Sequence, residues 1–399
     1  MAVDVLEVDL SDEDREVVGL ARRFAQEVLR PAGAALDRLP DPADVIAPGS
    51  PLWEVYDRYE ETGLGDLGTA DGDPVARARL AAAVSEELSA GDVGLAITLG
   101  LSRFAQPWIE MTGNAALIER FCASGTRTIG CWAVTEPDHG SDSITFSEPH
   151  FSDPALRANC IARADGDGWV ISGQKAAWVS NGSIADVIVL FCTVGGERGF
   201  HGGGAFVVPA DLPGVERPRP LDKLGQRSLN QGEIWFRDVR VPADHMVVGP
   251  EVYALALEGM LAHANAAMGQ LFVGVARSAY ELALSYAKER VQGGVPIIEH
   301  QSVKARLFHM FTQVEAARAL ARRVAAHNAA NPPRIECSIA SKVLATGTAF
   351  EVASAALQIF GGNGLSREYP IEKIFRDARA SLIEDGCNEV LGLVGATKL

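Results

Sequence analysis

The 399-residue chain contains no Cys-x-x-Cys, and its six cysteines stand apart at 122, 131, 160, 192, 337 and 387. That argues against a zinc or disulfide framework and for reduced thiols in a cytoplasmic protein. The eight histidines show no i, i+4 pairing and no carboxylate–histidine cluster, so no metal is expected. Positive charge is scarce: 36 Lys and Arg against 52 Asp and Glu leave −16. Nucleic acid and anionic membranes both require a basic face, so neither is expected as a partner. No charge-free apolar run reaches membrane-spanning length, and the acidic "MAVDVLEVDLSDEDRE" lacks the basic start of a secretory signal. A cytoplasmic protein without membrane insertion is the expectation. No G-x-G-x-x-G follows a strand to suggest a Rossmann site. "HGGG" at 201–204 has no G-x-S-x-G to make it an esterase oxyanion loop, and reads as a glycine-rich hairpin.

What is present is a change of hydrophobic period along the chain. Ser11 with Glu13 and Asp14 resembles a capped helix start, and apolar residues from Val17 to Leu29 recur at helical spacing until Pro31 ends the run. Helical patterns return near 52–62, 75–90 and 114–123. From 128, short apolar or alternating runs such as "TIGCWAV", "DVIVLFCTV" and "GEIWFRDVRVP" read as strands, with "DGDG" before Trp169 as a hairpin turn. Long helical segments resume at 252–291, 300–330 and 334–359, and a last helix is expected at 370–381. An α+β chain of three parts follows: helical 1–127, β 128–245 and helical 246–399.

Several segments carry chemistry. "AVTEPDHGSDS" (133–143) places hydroxyls, a carboxylate and a Gly-Ser-Asp turn straight after a strand, where backbone amides can face an anionic or heteroaromatic ligand. "WVSNG" (178–182) puts an aromatic and a hydroxyl beyond another strand. "QIFGGNGLSREYPIEKIFRDAR" (358–379) ends a helix on glycines that serve as C-caps or admit a ligand closely. "LIEDGCNE" (382–389) sets two carboxylates, Glu384 and Asp385, before a glycine.

Together and in this order, these segments, with "SEELSAGDVGLAITLG" (85–100) and "YAKERVQGGVPIIEHQ" (286–301), resemble the acyl-CoA dehydrogenase family of flavoproteins over nearly the whole chain. The resemblance implies a helical N-terminal lobe, a central β-barrel-like lobe, a C-terminal four-helix bundle, FAD as cofactor, and a homodimer or homotetramer. It places Trp132, Val134 and Thr135 at the flavin ring, Ser141 toward the phosphates and substrate entrance, Trp178 on the isoalloxazine and Ser180 at its N5 edge. Arg290 would reach the pyrophosphate, while Gln301, Gln358, Gly361 and Gly362 would hold the adenosine half across a subunit interface. Cys387, Asn388 and Glu389 would lie along the FAD. The implied reaction is α,β-dehydrogenation of an acyl thioester, carried by CoA or a carrier protein. A carboxylate takes the α-proton, flavin N5 accepts the β-hydride, and an electron-transfer partner or oxygen reoxidises the flavin.

The chain departs from the family where the reaction is set. The usual base is a glutamate directly before the glycine; here that position is Asp385, shorter by one C–C bond of about 1.5 Å, with Glu384 in place of an aromatic. Asp385 is the expected base and Glu384 the rival. The stretch that carries an alternative base in some relatives, "LAHANAAMGQ" (261–270), has no acid, and Asn265 stands where many members place an arginine beside the substrate. Gly293 replaces a phenylalanine, "GLGDLGTADGD" (63–73) replaces a family substrate-lobe stretch, and 144–157 is a longer linker. An aspartate base also fits a nitroalkane-oxidase-like or other oxygen-using flavoenzyme of the superfamily. A third alternative is an FAD-binding protein without turnover.

Overall fold

Ser11 opens the first helix through a complete capping box, its hydroxyl accepting from the Asp14 amide and the Asp14 carboxylate accepting from the Ser11 amide. The computed structural model describes residues 10–67, 72–123 and 125–399; the acidic N-terminus and the middle of 63–73 lie outside the described residues. Helix α1 spans Asp12–Phe24, but the helical path does not stop at Pro31. A π-helical turn, Ala25–Leu29, in which the Arg30 N–H reaches the Ala25 carbonyl, leads into α2 (Arg30–Asp37). Pro31 sits in the first turn of that segment, where a missing N–H costs least, and this corrects the expected break. Helices α3 (Pro51–Thr62), α4 (Pro74–Gly91), α5 (Val93–Ser102), α6 (Ala105–Met111) and α7 (Ala115–Cys122) follow.

The strands are β1 (Gly130–Ala133), β2 (Ile161–Asp165), β3 (Gly168–Ser180), β4 (Val187–Thr193), β5 (Gly203–Pro209), β6 (Val215–Glu216), β7 (Gln231–Pro242) and β8 (Met246–Val248). Their order is β6-β7-β3-β2-β4-β5-β8, with β1 parallel to β4. The sheet is therefore open, and the barrel-like expectation is corrected: β6 and β8 stand at opposite ends of the order and do not pair. Both are only two or three residues long, too short to close a barrel and well suited to blunting a sheet edge. Gly166 and Asp167 make the two-residue turn that the "DGDG" pattern predicts between β2 and β3. The "HGGG" segment closes the connection from β4 and opens antiparallel β5, and close approach explains its first glycine: a Cβ on Gly202 would fall 1.7 Å from the Gly195 carbonyl oxygen.

The C-terminal part holds α8 (Tyr253–Glu289), a small hairpin of β9 (Val291–Gln292) and β10 (Val295–Pro296), α9 (Gln301–Ala330), α10 (Ile335–Phe360) and α11 (Ile371–Ala380). A further helix, α12 (Asn388–Ala396), corrects the expectation that 370–381 is the last; its glycines at 392 and 395 mask the helical period. Helix α10 has the length and hydropathy to cross a bilayer, yet Ala345, Ala349 and Val352 are buried with Phe272 and Val273 of α8 and Met310 and Val314 of α9. Glu86 of α4 ties the N-terminal helices to this bundle. Its carboxylate lies 3.0 Å from Arg277 Nε, 2.7 Å from an Arg318 guanidinium nitrogen and 2.9 Å from Arg322.

Candidate active site

The loop after β1 is fixed by a buried ion pair. Lys175 of β3 and Glu136 are fully buried side chains 2.6 Å apart. Lys175 Nζ also donates to the Val134 carbonyl at 2.9 Å, and Glu136 accepts from the Asn159 and Cys160 amides. Both charges are thus hydrogen-bonded on several sides, the condition for a buried pair to be tolerated. Together with the Ala176 amide on the Thr135 carbonyl, this sets the backbone of Val134 and Thr135 at the end of β1.

β3 then breaks register against β7 between Lys175 and Val179, and the bulge turns Trp178 outward, where 57% of it is exposed. Ser180 pairs with Gln231 across the two strands, and Gln231 Nε2 donates to the Ser180 hydroxyl at 3.0 Å and to the Trp178 carbonyl at 3.3 Å. Lys223 Nζ donates to Gln231 Oε1 at 2.6 Å. Burial pushes the Lys223 ammonium down to about 7, with Glu384 and Asp377 drawing it back up. Trp132 packs against Phe104 and Phe191, and its buried indole N–H meets no acceptor among the described residues.

The two carboxylates stand on the turn between α11 and α12. Asp385 has φ +50° and Gly386 φ +92°, consecutive left-handed positions that aspartate and glycine adopt at lower cost than most residues. The turn is docked from two sides: the Cys387 amide donates to the Ser141 hydroxyl at 3.1 Å, and Lys342 of α10 donates to the Gly386 carbonyl at 2.8 Å and to Asn388 Oδ1 at 2.7 Å. Burial pushes the Lys342 ammonium down to about 8, against the pull of Asp385 and Glu384.

The carboxylates differ in what they touch. Glu384 Oε2 accepts from Gln226 Nε2 at 3.0 Å, and Gln226 is itself anchored by its amides to Asp377 of α11. Burial and the neighbouring Asp385 push Glu384 up to about 7, opposed by Gln226, Lys223 and Lys342. Burial also raises Asp385, opposed by Lys342, but its carboxylate bonds to no side chain among the described residues. Acidity near neutrality favours Glu384 as a base, whereas an uncommitted carboxylate favours Asp385. Geometry takes precedence for a proton acceptor, because a carboxylate must first reach the proton. Replacing Lys342 by Met is expected to free the turn, slow turnover on the order of 10²-fold through misplacement of Asp385, and move the acidic limb of the pH–rate profile upward. An unshifted limb in steady-state profiles contradicts that role for Lys342.

Most of the expected site residues fall into two groups. Trp178, Ser180, Ser141, Glu384, Asp385, Cys387 and Asn388 lie within the network just described. Arg290, Gln301, Gln358, Gly361 and Gly362 are exposed together at one end of the bundle, where Tyr286 stacks on Phe360 with ring centres 4.1 Å apart and joins the ends of α8 and α10. Glu389 is exposed in the first turn of α12. Asn265 is fully buried, donating to the Leu261 carbonyl of its own helix, with no partner for Oδ1 among the described residues. Gly293 has φ +66° in the β9–β10 turn, a conformation that a phenylalanine would strain. Sequence reasoning missed Glu136, Lys175, Lys223, Gln226, Gln231 and Lys342. A lone lysine in the apolar runs "SGQKAAWV" and "IASKVLATG" was the available signal for Lys175 and Lys342.

Comparison with known proteins places these features in a family. Residues 131–239 match the model for the acyl-CoA dehydrogenase middle domain and residues 254–399 the model for its C-terminal domain. The chain is 31% identical over 399 residues to benzylmalonyl-CoA dehydrogenase of Aromatoleum aromaticum, covering 99% of this chain and all of that one. It is 31% identical over 396 residues to a short-chain specific acyl-CoA dehydrogenase of Megasphaera elsdenii, covering 96% and 97%. The solved butyryl-CoA dehydrogenase of Megasphaera elsdenii superposes with a TM-score of 0.84 at 28% identity, covering 97% of this chain and 98% of that one.

Proposed function

The chain belongs to the acyl-CoA dehydrogenase family of FAD-dependent oxidoreductases, and from that premise we propose that it dehydrogenates an acyl thioester at its α and β carbons with Asp385 as the base. The observation that carries the reading is the Asp385 carboxylate: raised in pKa by burial and bound to no side chain among the described residues, it is held on a turn docked to the loop after β1. Trp178, Ser180 and Trp132 suit a flavin, offering respectively an exposed aromatic face, a hydroxyl at the end of β3 and an indole N–H without an acceptor among the described residues. Arg290, Gln301, Gln358, Gly361 and Gly362 would take the adenosine and pyrophosphate half of FAD, completed by a second copy of the chain in a homodimer or homotetramer. Bound FAD supplies the acceptor for the β-hydrogen.

The chain's own work is then positional and electrostatic. Asp385 takes the α-proton. Lys342 holds the turn beneath it and keeps its carboxylate ionised more readily than burial alone would allow. Glu384 remains bound to Gln226, away from that role.

Anaerobic titration of the bound flavin with a panel of acyl-CoA and acyl-carrier thioesters tests this. Bleaching by at least one thioester, with slow recovery in air, is expected. Bleaching only by a nitroalkane, with rapid recovery in air, indicates the oxygen-using alternative that an aspartate base also suits. Yellow protein that no compound bleaches indicates binding without turnover.

A further inference from the structure

The amide of Gln231 cannot turn over. Its Oε1 lies 2.6 Å from Lys223 Nζ, a group that only donates while charged; the neutral amine also accepts, so the second contact of the amide decides its orientation. Its Nε2 lies 3.3 Å from the Trp178 carbonyl, which only accepts. Exchanging O and N would set an NH2 against an ammonium and a carbonyl against a carbonyl. With the amide fixed, Nε2 must donate to the Ser180 hydroxyl at 3.0 Å. Ser180 is therefore committed as an acceptor on that side, and its own proton is bonded to no acceptor among the described residues. Donation into a hydroxyl polarises it and strengthens the bond it gives.

We propose that Lys223 and Gln231 are positioning residues that orient the Ser180 hydroxyl as a hydrogen-bond donor toward bound FAD. This rests on the placement of FAD against Trp178 and Ser180. The direction matters because flavin N5, the edge at which Ser180 is placed, accepts a hydrogen bond when oxidised and carries a proton of its own once reduced, so a fixed donor there discriminates between the two states.

Three variants of the FAD-loaded enzyme test the proposal, read by the visible absorption bands of the flavin, its midpoint potential and the Kd for FAD. Ser180→Ala removes the donor and defines the full effect, a shift in bands and potential with FAD bound about five- to tenfold more weakly, as the loss of one hydrogen bond implies. Gln231→Glu keeps the acceptor for Lys223 but replaces the NH2 by an oxygen, which takes the Ser180 proton away from the ligand. It is expected to reproduce the Ser180→Ala spectrum and potential. Lys223→Met is expected to shift both in the same direction by less, since the Trp178 carbonyl still restrains the amide. A Gln231→Glu enzyme with wild-type bands and potential, beside a shifted Ser180→Ala, overturns the proposal while leaving the FAD placement intact. An unshifted Ser180→Ala overturns the placement and the proposal with it. Should Gln231→Glu fail to fold, unshifted Lys223→Met bands and potential overturn the proposal.

Discussion

Asp385→Asn is expected to slow anaerobic reduction of the bound flavin by an acyl thioester about 10²- to 10⁴-fold, the usual range for loss of a positioned general base. The amide is nearly isosteric, and asparagine tolerates the left-handed φ of +50° as well as aspartate does, so the turn itself survives. Glu384→Gln should leave the rate within about tenfold, because Gln226 already holds that side chain and a neutral group preserves much of the contact. Stopped-flow single turnovers on both variants, each confirmed yellow, separate the two. A fast Asp385→Asn enzyme beside a slow Glu384→Gln enzyme would transfer the base role to Glu384, whose pKa near 7 makes it the credible rival.

Glu86→Gln is expected to cost about 3–5 kcal/mol of stability, the range for breaking a buried ion pair by removing one partner. Burial alone would raise the Glu86 carboxyl, but Arg318, Arg277 and Arg322 hold it down at about 2. In the variant those guanidiniums face an uncharged amide whose NH2 is itself a donor. The carboxylate's folded pKa lies below its ordinary value of 4.5, so its contribution is complete above 4.5 and is lost as pH falls toward 2. Chemical denaturation of the FAD-loaded protein should show the full difference at pH 7 and a narrowing difference below about 4.5. A constant difference across that range would mean that the loss is one of packing, not charge.

The long helices were legible because their apolar faces repeat over many turns, and α8, α9 and α10 lie close to where the period places them. Pro31 misled because a proline is a stop signal only where its amide is needed; a π-helical turn just before it removes that need. Helix α12 was hidden by Gly392 and Gly395, whose low helix propensity is outweighed by burial of Leu391 and Val394. That the sheet is open was not readable, since apart from the β2–β3 hairpin its strand pairings join residues far apart in the chain. At the site, the position directly before Gly386 singles out Asp385 over Glu384 in the sequence, but nothing local shows how their surroundings differ. The difference comes from Gln226, 158 residues away, and Lys342, which bonds to Gly386 from another helix. Ser180 and Trp178 are proposed through their motif, whereas Gln231, which gives Ser180 its direction, carries no motif and is visible only through strand register.

The most direct test of the central claim is the product of a single anaerobic turnover. Enzyme mixed with one equivalent of an acyl thioester that bleaches the flavin should yield, by mass spectrometry, a thioester lighter by two hydrogens, with the acyl-to-thiol linkage intact. Bleaching with no such unsaturated thioester, or its formation only when oxygen is admitted, would contradict α,β-dehydrogenation as the reaction of this site.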